Sequence, residues 1–281
     1  MLICQLTDLH VRPRGLASNR VSETNMFTER ACRVVASLTP RPDVVIITGD
    51  LTECGLEAEY ANLKAILDRT ILSLTPAMPV FVIPGNHDRR DNLRRGLAHL
   101  PGVVSDPDYV QYAVDEYPVR LVMLDTLVPG ESHGRLSAAQ LDWLDRTLAA
   151  QPSKPTLVGM HHPPFVTGLP HMDKIALLNH EVFRGVISRH RQVMRIVCGH
   201  HHRPITGQCG HATVSISPSV AHQVELTFDP SDTGAFNFEP PAIQLHARIG
   251  ENGFVSHTIY TNQYDGPFPF LTDADYPGAH S

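Results

Sequence analysis

Short apolar runs in this sequence are repeatedly followed by aspartate, asparagine and histidine. Asp8 and His10 follow the run 2–6, Gly49-Asp50 follows 44–48, and Gly85-Asn86-His87-Asp88 follows 80–83. Two later runs end in His161-His162-Pro163-Pro164 and Gly199-His200-His201-His202. Singly each cluster is weak: Gly-Asp after a strand is commonly a turn, and Asn-His after Gly is commonly a loop that tolerates left-handed backbone. In the triple histidine, alternate residues of an extended segment point the same way, so His200 and His202 can face one ion while His201 points elsewhere. Together, Asp8, His10, Asp50, Asn86, His161, His200 and His202 offer nitrogen and oxygen donors with no thiolate, a set suited to Mn, Fe, Co or Zn. Seven donors exceed what one tetrahedral ion with an open position needs, but serve two ions if one carboxylate bridges them. Two divalent cations facing two aspartates leave positive charge for an anionic substrate. They also lower the pKa of a bridging water, which is the two-metal route to displacement at phosphorus.

The elements that must position these residues are legible in the hydrophobic pattern. Strand-length runs at 2–6, 44–48, 80–83, 119–124, 156–160 and 195–198 alternate with helical patterns at 25–38, 57–67, 137–149 and 174–190. This predicts an α/β protein with a sheet buried between helices. In such sheets ligands bind at the carboxyl ends of the strands, so the five clusters are expected to converge on one edge. Ser137 and Gln140 have capping-box spacing, which starts the third helix, and Trp143 falls on its apolar face. After about Thr206 the texture changes to short apolar segments at 213–216, 224–228, 242–247 and 254–260, broken by Gly, Pro, Asp and Asn. The division is therefore read as a core over 1–206 and a β-rich region over 207–281 whose final segment returns to the core or lies on the surface.

Composition narrows the function classes. In 281 residues, 23 Lys+Arg against 29 Asp+Glu give a net charge of −6, which speaks against a nucleic-acid polymer as partner. No apolar run approaches the ~20 residues that span a bilayer, and the N-terminus has no basic region, so a cytoplasmic protein without membrane partners is expected. Five cysteines without CxxC spacing suit reduced thiols. The one basic cluster, Arg89-Arg90 and Arg94-Arg95, reads first as a solvated helix face and second as a device that steers anions.

In order and spacing, Asp8-x-His10, Gly49-Asp50, Gly85-Asn86-His87-Asp88, a histidine before Pro-Pro and Gly-His-x-His resemble the motifs of the calcineurin-like metallophosphoesterase family. Within it the chain looks most like the class III bacterial phosphodiesterases, which include cyclic-nucleotide phosphodiesterases and a glycerophosphodiesterase. That likeness extends through Ser219–Val224 to the Gly266-Pro267 tail. The resemblance implies a sandwich of β-sheets flanked by helices, with the β-rich C-terminal region acting as a cap and dimerisation element. It also implies that Asp8, His10, Asp50 and His202 hold one metal, and Asp50, Asn86, His161 and His200 the other. His161 is taken over His162 because the first histidine of that segment is the family's ligand. His87 is implied to face the phosphate as a catalytic residue assisting the transition state or leaving group.

The expected activity is hydrolysis of small phosphodiesters, glycerophosphodiesters or cyclic nucleotides, by two divalent metal ions per chain in a homodimer or larger homo-oligomer. A broad phosphomonoesterase or nuclease on the same core, and a non-catalytic metal-binding regulatory protein, are the rival readings. The last is disfavoured because no ligand of the set is missing and His87 is present.

Overall fold

In chain order the elements are β1 (Leu2–Leu6), α1 (Thr24–Ser37), β2 (Val44–Thr48), α2 (Glu57–Thr70), β3 (Val80–Ile83), α3 (Arg90–Leu97), β4 (Tyr112–Val114), β5 (Arg120–Met123), α4 (Ala138–Ala149), β6 (Thr156–Gly159), α5 (Pro170–Asp173), α6 (His180–Arg189), β7 (Val193–Cys198), β8 (Ile205–Cys209), β9 (Ala212–Ile216), β10 (Gln223–Val224), β11 (Phe236–Asn237), β12 (Ala242–Arg248) and β13 (Phe254–Tyr260). This computed structural model describes residues 1–250 and 253–270; the rest of the C-terminal tail, 271–281, lies outside the described residues.

The βα repeat is divided between two sheets. β1, β2 and β3 are parallel neighbours, and antiparallel β12 and β13 extend that sheet beyond β1. The second sheet runs β4-β5-β6-β7-β9-β8, parallel from β5 through β9 with an antiparallel strand at each edge. Hydrophobic periodicity reports that a strand is covered on both faces, which holds for VVIIT of β2 as it would for either arrangement, and so it does not assign strands to sheets.

Side-chain alternation builds the layers. Leu121, Met123, Leu157 and Val197 join one apolar cluster with β1, β2, β3 and the inner faces of α1 and α2. Their neighbours Val122, Val158 and Ile196 point the other way, into a cluster with Leu144 and Leu148 of α4 and Phe183 and Ile187 of α6. Because strand side chains alternate, β5, β6 and β7 each serve both clusters. The result is helices, sheet, sheet, helices. A buried polar strip joins the two sheets: the Gln5 amide donates to Thr48 Oγ1 at 2.8 Å and to the Cys198 carbonyl at 2.9 Å. His246 Nε2 meets Gln5 Oε1 at 2.9 Å. Such groups are retained inside a core only when their partners are present.

The chain after 206 contributes to both sheets, β8 and β9 to the second and β12 and β13 to the first. The short β10–β11 ribbon stands apart from either. Ser137 caps α4 as its sequence predicts, its hydroxyl accepting from Gln140 N while Gln140 Oε1 accepts from Ser137 N. Trp143 is only half-buried, at the margin of its cluster. The helix expected over 174–190 starts at His180 instead. Leu177 and Leu178 donate their backbone N–H groups to Pro163 and Gly134, and Asn179 exchanges bonds with Leu136, which ties that stretch to neighbouring loops.

Candidate metal centre

Each predicted cluster lies in the loop after its strand, and the loops after β1, β2, β3, β6 and β7 meet at one end of the paired sheets. The loop after β1 runs alongside that after β2, with Asp8 N bonded to the Gly49 carbonyl and His10 N to the Asp50 carbonyl. His200 N donates to the Asp8 carboxylate at 3.1 Å, which joins the loop after β7 to that after β1. His87 N donates to Asp50 Oδ1 at 2.9 Å, joining the loops after β3 and β2. Asp88 accepts from the backbone of Leu51, Thr52 and Gly85 and from the hydroxyls of Thr52 and Tyr60. Five donors on one buried carboxylate hold these two loops together. Gly85 has no alternative here: a Cβ would lie 2.2 Å from Asp50 Oδ1.

The local backbone is strained where the chemistry sits. Asp8, His10, Asp50, His200 and His202 all have φ between 46° and 70°. Non-glycine residues visit this region at a cost of order 1–3 kcal/mol each, and such outliers cluster at functional sites. Asp and His tolerate it better than branched residues, which is a second reason for these residue types at these positions.

The side chains gather into two adjoining groups. Asp8, His10, Asp50 and His202 offer ligand atoms all within 4.8 Å of one another. His10 Nε2 and His202 Nε2 face each other at 3.1 Å, with Asp50 Oδ2 3.7 Å from the first and Asp8 Oδ1 3.4 Å from the second. On the other side of Asp50, its Oδ2 lies 3.4 Å from His161 Nε2, which is 3.1 Å from Asn86 Oδ1. The His200 ring centre is 5.1 Å from that of His161. Asp50 thus borders both groups.

The second nitrogen of most of these imidazoles is engaged. His10 Nδ1 binds Glu53 Oε2 at 2.8 Å, His202 Nδ1 the His222 carbonyl at 2.8 Å, and His161 Nδ1 the Thr48 carbonyl at 2.8 Å. This is the arrangement of metal-ligating histidines, whose outer nitrogen donates to a carboxylate or carbonyl and fixes the tautomer. His200 Nε2 is buried with no hydrogen-bond partner. An orphaned ring nitrogen, two buried aspartates and facing imidazoles together form a donor set that fits divalent cations.

Electrostatics favour the same conclusion. Burial opposes the charge on Asp50, yet His161, His87 and His10 hold its carboxyl well below the usual range. Burial likewise opposes a proton on His161, but Asp50 beside it and Asp8 nearby raise the imidazole to about 9. His202 is raised through Asp8, again against burial. The carboxylates therefore draw positive charge into the site, and a cation binding there takes the place of these protons.

His162 Nδ1 lies 2.7 Å from Thr126 Oγ1 and its Nε2 3.2 Å from the Ser132 carbonyl. His162 shares a ligand group with His161 and His200, but both its nitrogens already have scaffold partners, whereas His161 Nε2 faces Asn86 and Asp50. His201 is fully buried and falls in none of the ligand groups among the described residues; its nearest charged neighbour is Asp173, at 3.9 Å. His87 Nδ1 binds the Glu53 carbonyl at 2.8 Å, and its ring lies edge-on to His10 with centroids 4.7 Å apart.

Two residues outside the predicted set stand at the centre. Glu53 holds His10 with its carboxylate and His87 with its carbonyl; its signal in the sequence was its place three residues after Asp50. The His222 ring packs 5.3 Å from His10 and 4.9 Å from His202, and burial followed by those two neighbours pushes its pKa down to about 2. It belongs to the Ser219–Val224 segment, whose approach to the site is a tertiary fact: Ser219 Oγ donates to the Asp8 carbonyl at 2.9 Å.

A groove of about 1050 Å³ opens from the centre past Asn86 and His87 along α3. Its arginines are mostly committed. Arg90 makes a two-point pair with the buried Asp125, Arg94 donates to the carbonyls of Asp106, Pro107 and Tyr109, and Arg95 pairs with Glu57. Arg90 and Arg94 of the basic cluster are thus scaffold, whereas Arg89 and Arg95 are exposed, as a solvated helix face would have them.

Two sheets closed by flanking helices, with an Asp/His/Asn centre at the strand ends, define a metallophosphoesterase fold. The calcineurin-like phosphoesterase family model matches residues 1–204, and the chain belongs to that family. It is 34% identical over 275 residues, 97% of this chain and 98% of the other, to "Probable glycerophosphodiester phosphodiesterase GpdQ" of Arcobacter nitrofigilis. It is also 31% identical over 248 residues to "3',5'-cyclic-nucleotide phosphodiesterase alr5338" of a Nostoc species, covering 86% of each. Among solved structures, a dimetal phosphatase from Danio rerio shares the fold with TM-score 0.63 at 18% identity, over 93% of this chain and 99% of that one.

Proposed function

We propose that this chain is a two-metal phosphodiesterase for small diesters of the glycerophosphodiester or cyclic-nucleotide type. The observation that carries this reading is the convergence of seven nitrogen and oxygen donors from five strand ends on a centre bordered by His87 and an open groove. Asp8, His10, Asp50 and His202 would hold one ion, and Asp50, Asn86, His161 and His200 the other, drawn from Mn, Fe, Co or Zn. Bound there, the ions supply an activated water and neutralise charge at phosphorus. The protein's own part is to hold these donors in strained loops, to keep Nε2 of His87 free by tying its Nδ1 to Glu53, and to present that ring to a departing alcohol.

Both named relatives are phosphodiesterases, and the commitment of Arg90 and Arg94 to the scaffold supports small substrates over nucleic acid. Steady-state kinetics after Mn reconstitution tests the reading, on cyclic AMP, 2′,3′-cyclic AMP, glycerophosphoethanolamine, glycerophosphocholine, bis(p-nitrophenyl) phosphate and p-nitrophenyl phosphate. A small diester is expected to give the highest kcat/KM; single-stranded DNA cleaved as fast would move the nuclease reading first.

Glu53→Gln keeps the shape of the side chain but removes the charge that orients His10. It is expected to weaken metal binding about 10- to 100-fold, read by calorimetric titration with Mn. Unchanged affinity would show that Glu53 does not support the centre.

The β10–β11 region is the proposed cap. Leu226 (52% exposed), Phe228 (68%) and Phe238 (54%) are uncovered on it, which supports a homodimer or larger assembly that buries them. Light scattering on the intact chain should show an oligomer, and a monodisperse monomer would contradict it. An exposed, unpaired Cys54 beside four buried free thiols supports a reducing, cytoplasmic setting. Among the described residues no helix is long and apolar enough to cross a membrane.

A further inference from the structure

A second, smaller pocket of about 210 Å³ adjoins the centre, on the side marked by His202 and His222 where the large groove is marked by Asn86 and His87. Its walls include Met172 of α5, Val224 of β10, and Gly234 and Phe236 of the ribbon. Pockets that enclose drug-sized ligands measure about 300–1,000 Å³, so this one suits a fragment of a molecule whose remainder lies elsewhere. An acyclic phosphodiester is such a molecule, because it carries two separate alcohol groups on one phosphorus, whereas in a cyclic diester both oxygens belong to one arm.

We propose that this pocket binds the ester arm that stays on phosphorus, and that it selects an arm with a flat aromatic or apolar face, while the groove beside His87 receives the alcohol that leaves. The assignment rests on the phosphodiesterase reading and adds a direction to it. The P–O bond to the leaving alcohol breaks, water supplies the new P–O bond, the departing oxygen gains a proton, and the retained monoester stays in the pocket until release.

Three observations carry it. Phe236 keeps 38% of its surface exposed beside the centre, with its ring 4.9 Å from that of His222. A flat arm lying there covers aromatic surface that water otherwise meets, and stacked rings attract each other beyond the area they bury.

The wall is also fixed in place. Arg203 donates to the Val224 carbonyl and pairs with Glu239 at 2.8 Å, and Glu225 N bonds the Ala235 carbonyl. Two residues before β11, Gly234 has φ +90°, and a Cβ there would lie 2.7 Å from the His171 ring. This end of the connection therefore fits closely against the core, which sets the depth of the pocket. Finally, the two cavities differ in character: the groove is walled mainly by charged and polar groups such as Asp91, Asn92 and Asp108, whereas in the pocket Met172, Val224 and Phe236 stand beside three histidines and Thr233, with no carboxylate or arginine. Two unlike walls on two sides of one phosphorus site distinguish two unlike arms.

The test holds the leaving group constant and varies only the retained arm. Methyl p-nitrophenyl phosphate and phenyl p-nitrophenyl phosphate both release p-nitrophenol, so the ratio of their kcat/KM values, compared between enzymes, cancels the intrinsic reactivity of each ester. Phe236→Ala should lower the phenyl-to-methyl ratio by up to about tenfold relative to the unmodified Mn-loaded enzyme. Val224→Phe, which fills the pocket from the strand paired with β11, should lower the same ratio. In the unmodified enzyme phenyl phosphate should also inhibit at lower concentration than methyl phosphate, a difference that shrinks in Phe236→Ala. Ratios unchanged in both variants would overturn the assignment. An unmodified enzyme that cleaved p-nitrophenyl phosphate but neither diester would overturn the phosphodiesterase reading itself, and the pocket assignment with it.

Discussion

Asp50→Ala is expected to lower kcat/KM by more than about 10³-fold and to reduce metal bound per chain. The magnitude follows from position. Losing one donor that serves only the transition state costs about 10²–10³ in turnover, and Asp50 borders both ligand groups while its Oδ1 also holds His87 N at 2.9 Å. One substitution therefore removes a charge from each ion's surroundings and loosens the loop that carries His87. Asp50→Asn separates the two effects, because the amide oxygen still accepts from His87 N while the negative charge is gone. The two variants should bind metal equally poorly by elemental analysis, with the asparagine variant more stable to heat. Full metal content and rate in either one would show that Asp50 does not join the two groups.

His87→Ala is expected to leave metal content near normal and to slow hydrolysis of alkyl diesters about 10²- to 10⁴-fold, with a smaller loss for p-nitrophenyl esters. A general acid matters most when the departing alkoxide is basic. With its Nδ1 on the Glu53 carbonyl, the ring has one nitrogen left to present toward the groove. Burial works against its charge, but in the metal-free chain Asp50 and the Glu53 carbonyl raise its pKa above the ordinary histidine value. Equal losses across alkyl and p-nitrophenyl leaving groups, measured as kcat on the two ester types, would mean that His87 orients the phosphate without protonating the leaving oxygen.

What the sequence discloses about this site follows from how the site is built. That Asp8, His10, Asp50, Asn86, His161, His200 and His202 come together at one end of the sheets was legible because each lies within a few residues of a strand's end, and strands announce themselves by apolar runs. β1, β2 and β3 fall where those runs place them. The division into two sheets was expected from the family resemblance and not from the apolar runs, since Val122 and Leu121 are equally apolar and only packing sends one toward α4 and the other toward β1. The missing start of α6 has a similar cause: the apolar pattern runs through Leu177 and Leu178, whose backbone bonds go to other loops.

Residues that act through another residue were the hardest to see. Glu53 looks like an ordinary loop acid until His10 Nδ1 is found 2.8 Å away, and Asp88 reads as part of a turn until its five donors are counted. His162 and His161 are neighbours of identical type, and the difference between them comes from Thr126 and the Ser132 carbonyl, distant in sequence. Phe236 lies in a short ribbon with no strong periodic signal, 14 residues beyond the His222 against which it packs.

The central claim is that two ions act together in one centre of this chain. Metal-free protein titrated with Mn, with bound metal and diester turnover measured on the same samples, tests it most directly. Turnover of bis(p-nitrophenyl) phosphate should rise until two ions are bound per chain, and crystals from the saturated sample should give two anomalous peaks. One peak should lie among Asp8, His10, Asp50 and His202, the other among Asp50, Asn86, His161 and His200. Full turnover at one ion per chain, or a peak held by His162 in place of His161, would contradict the account.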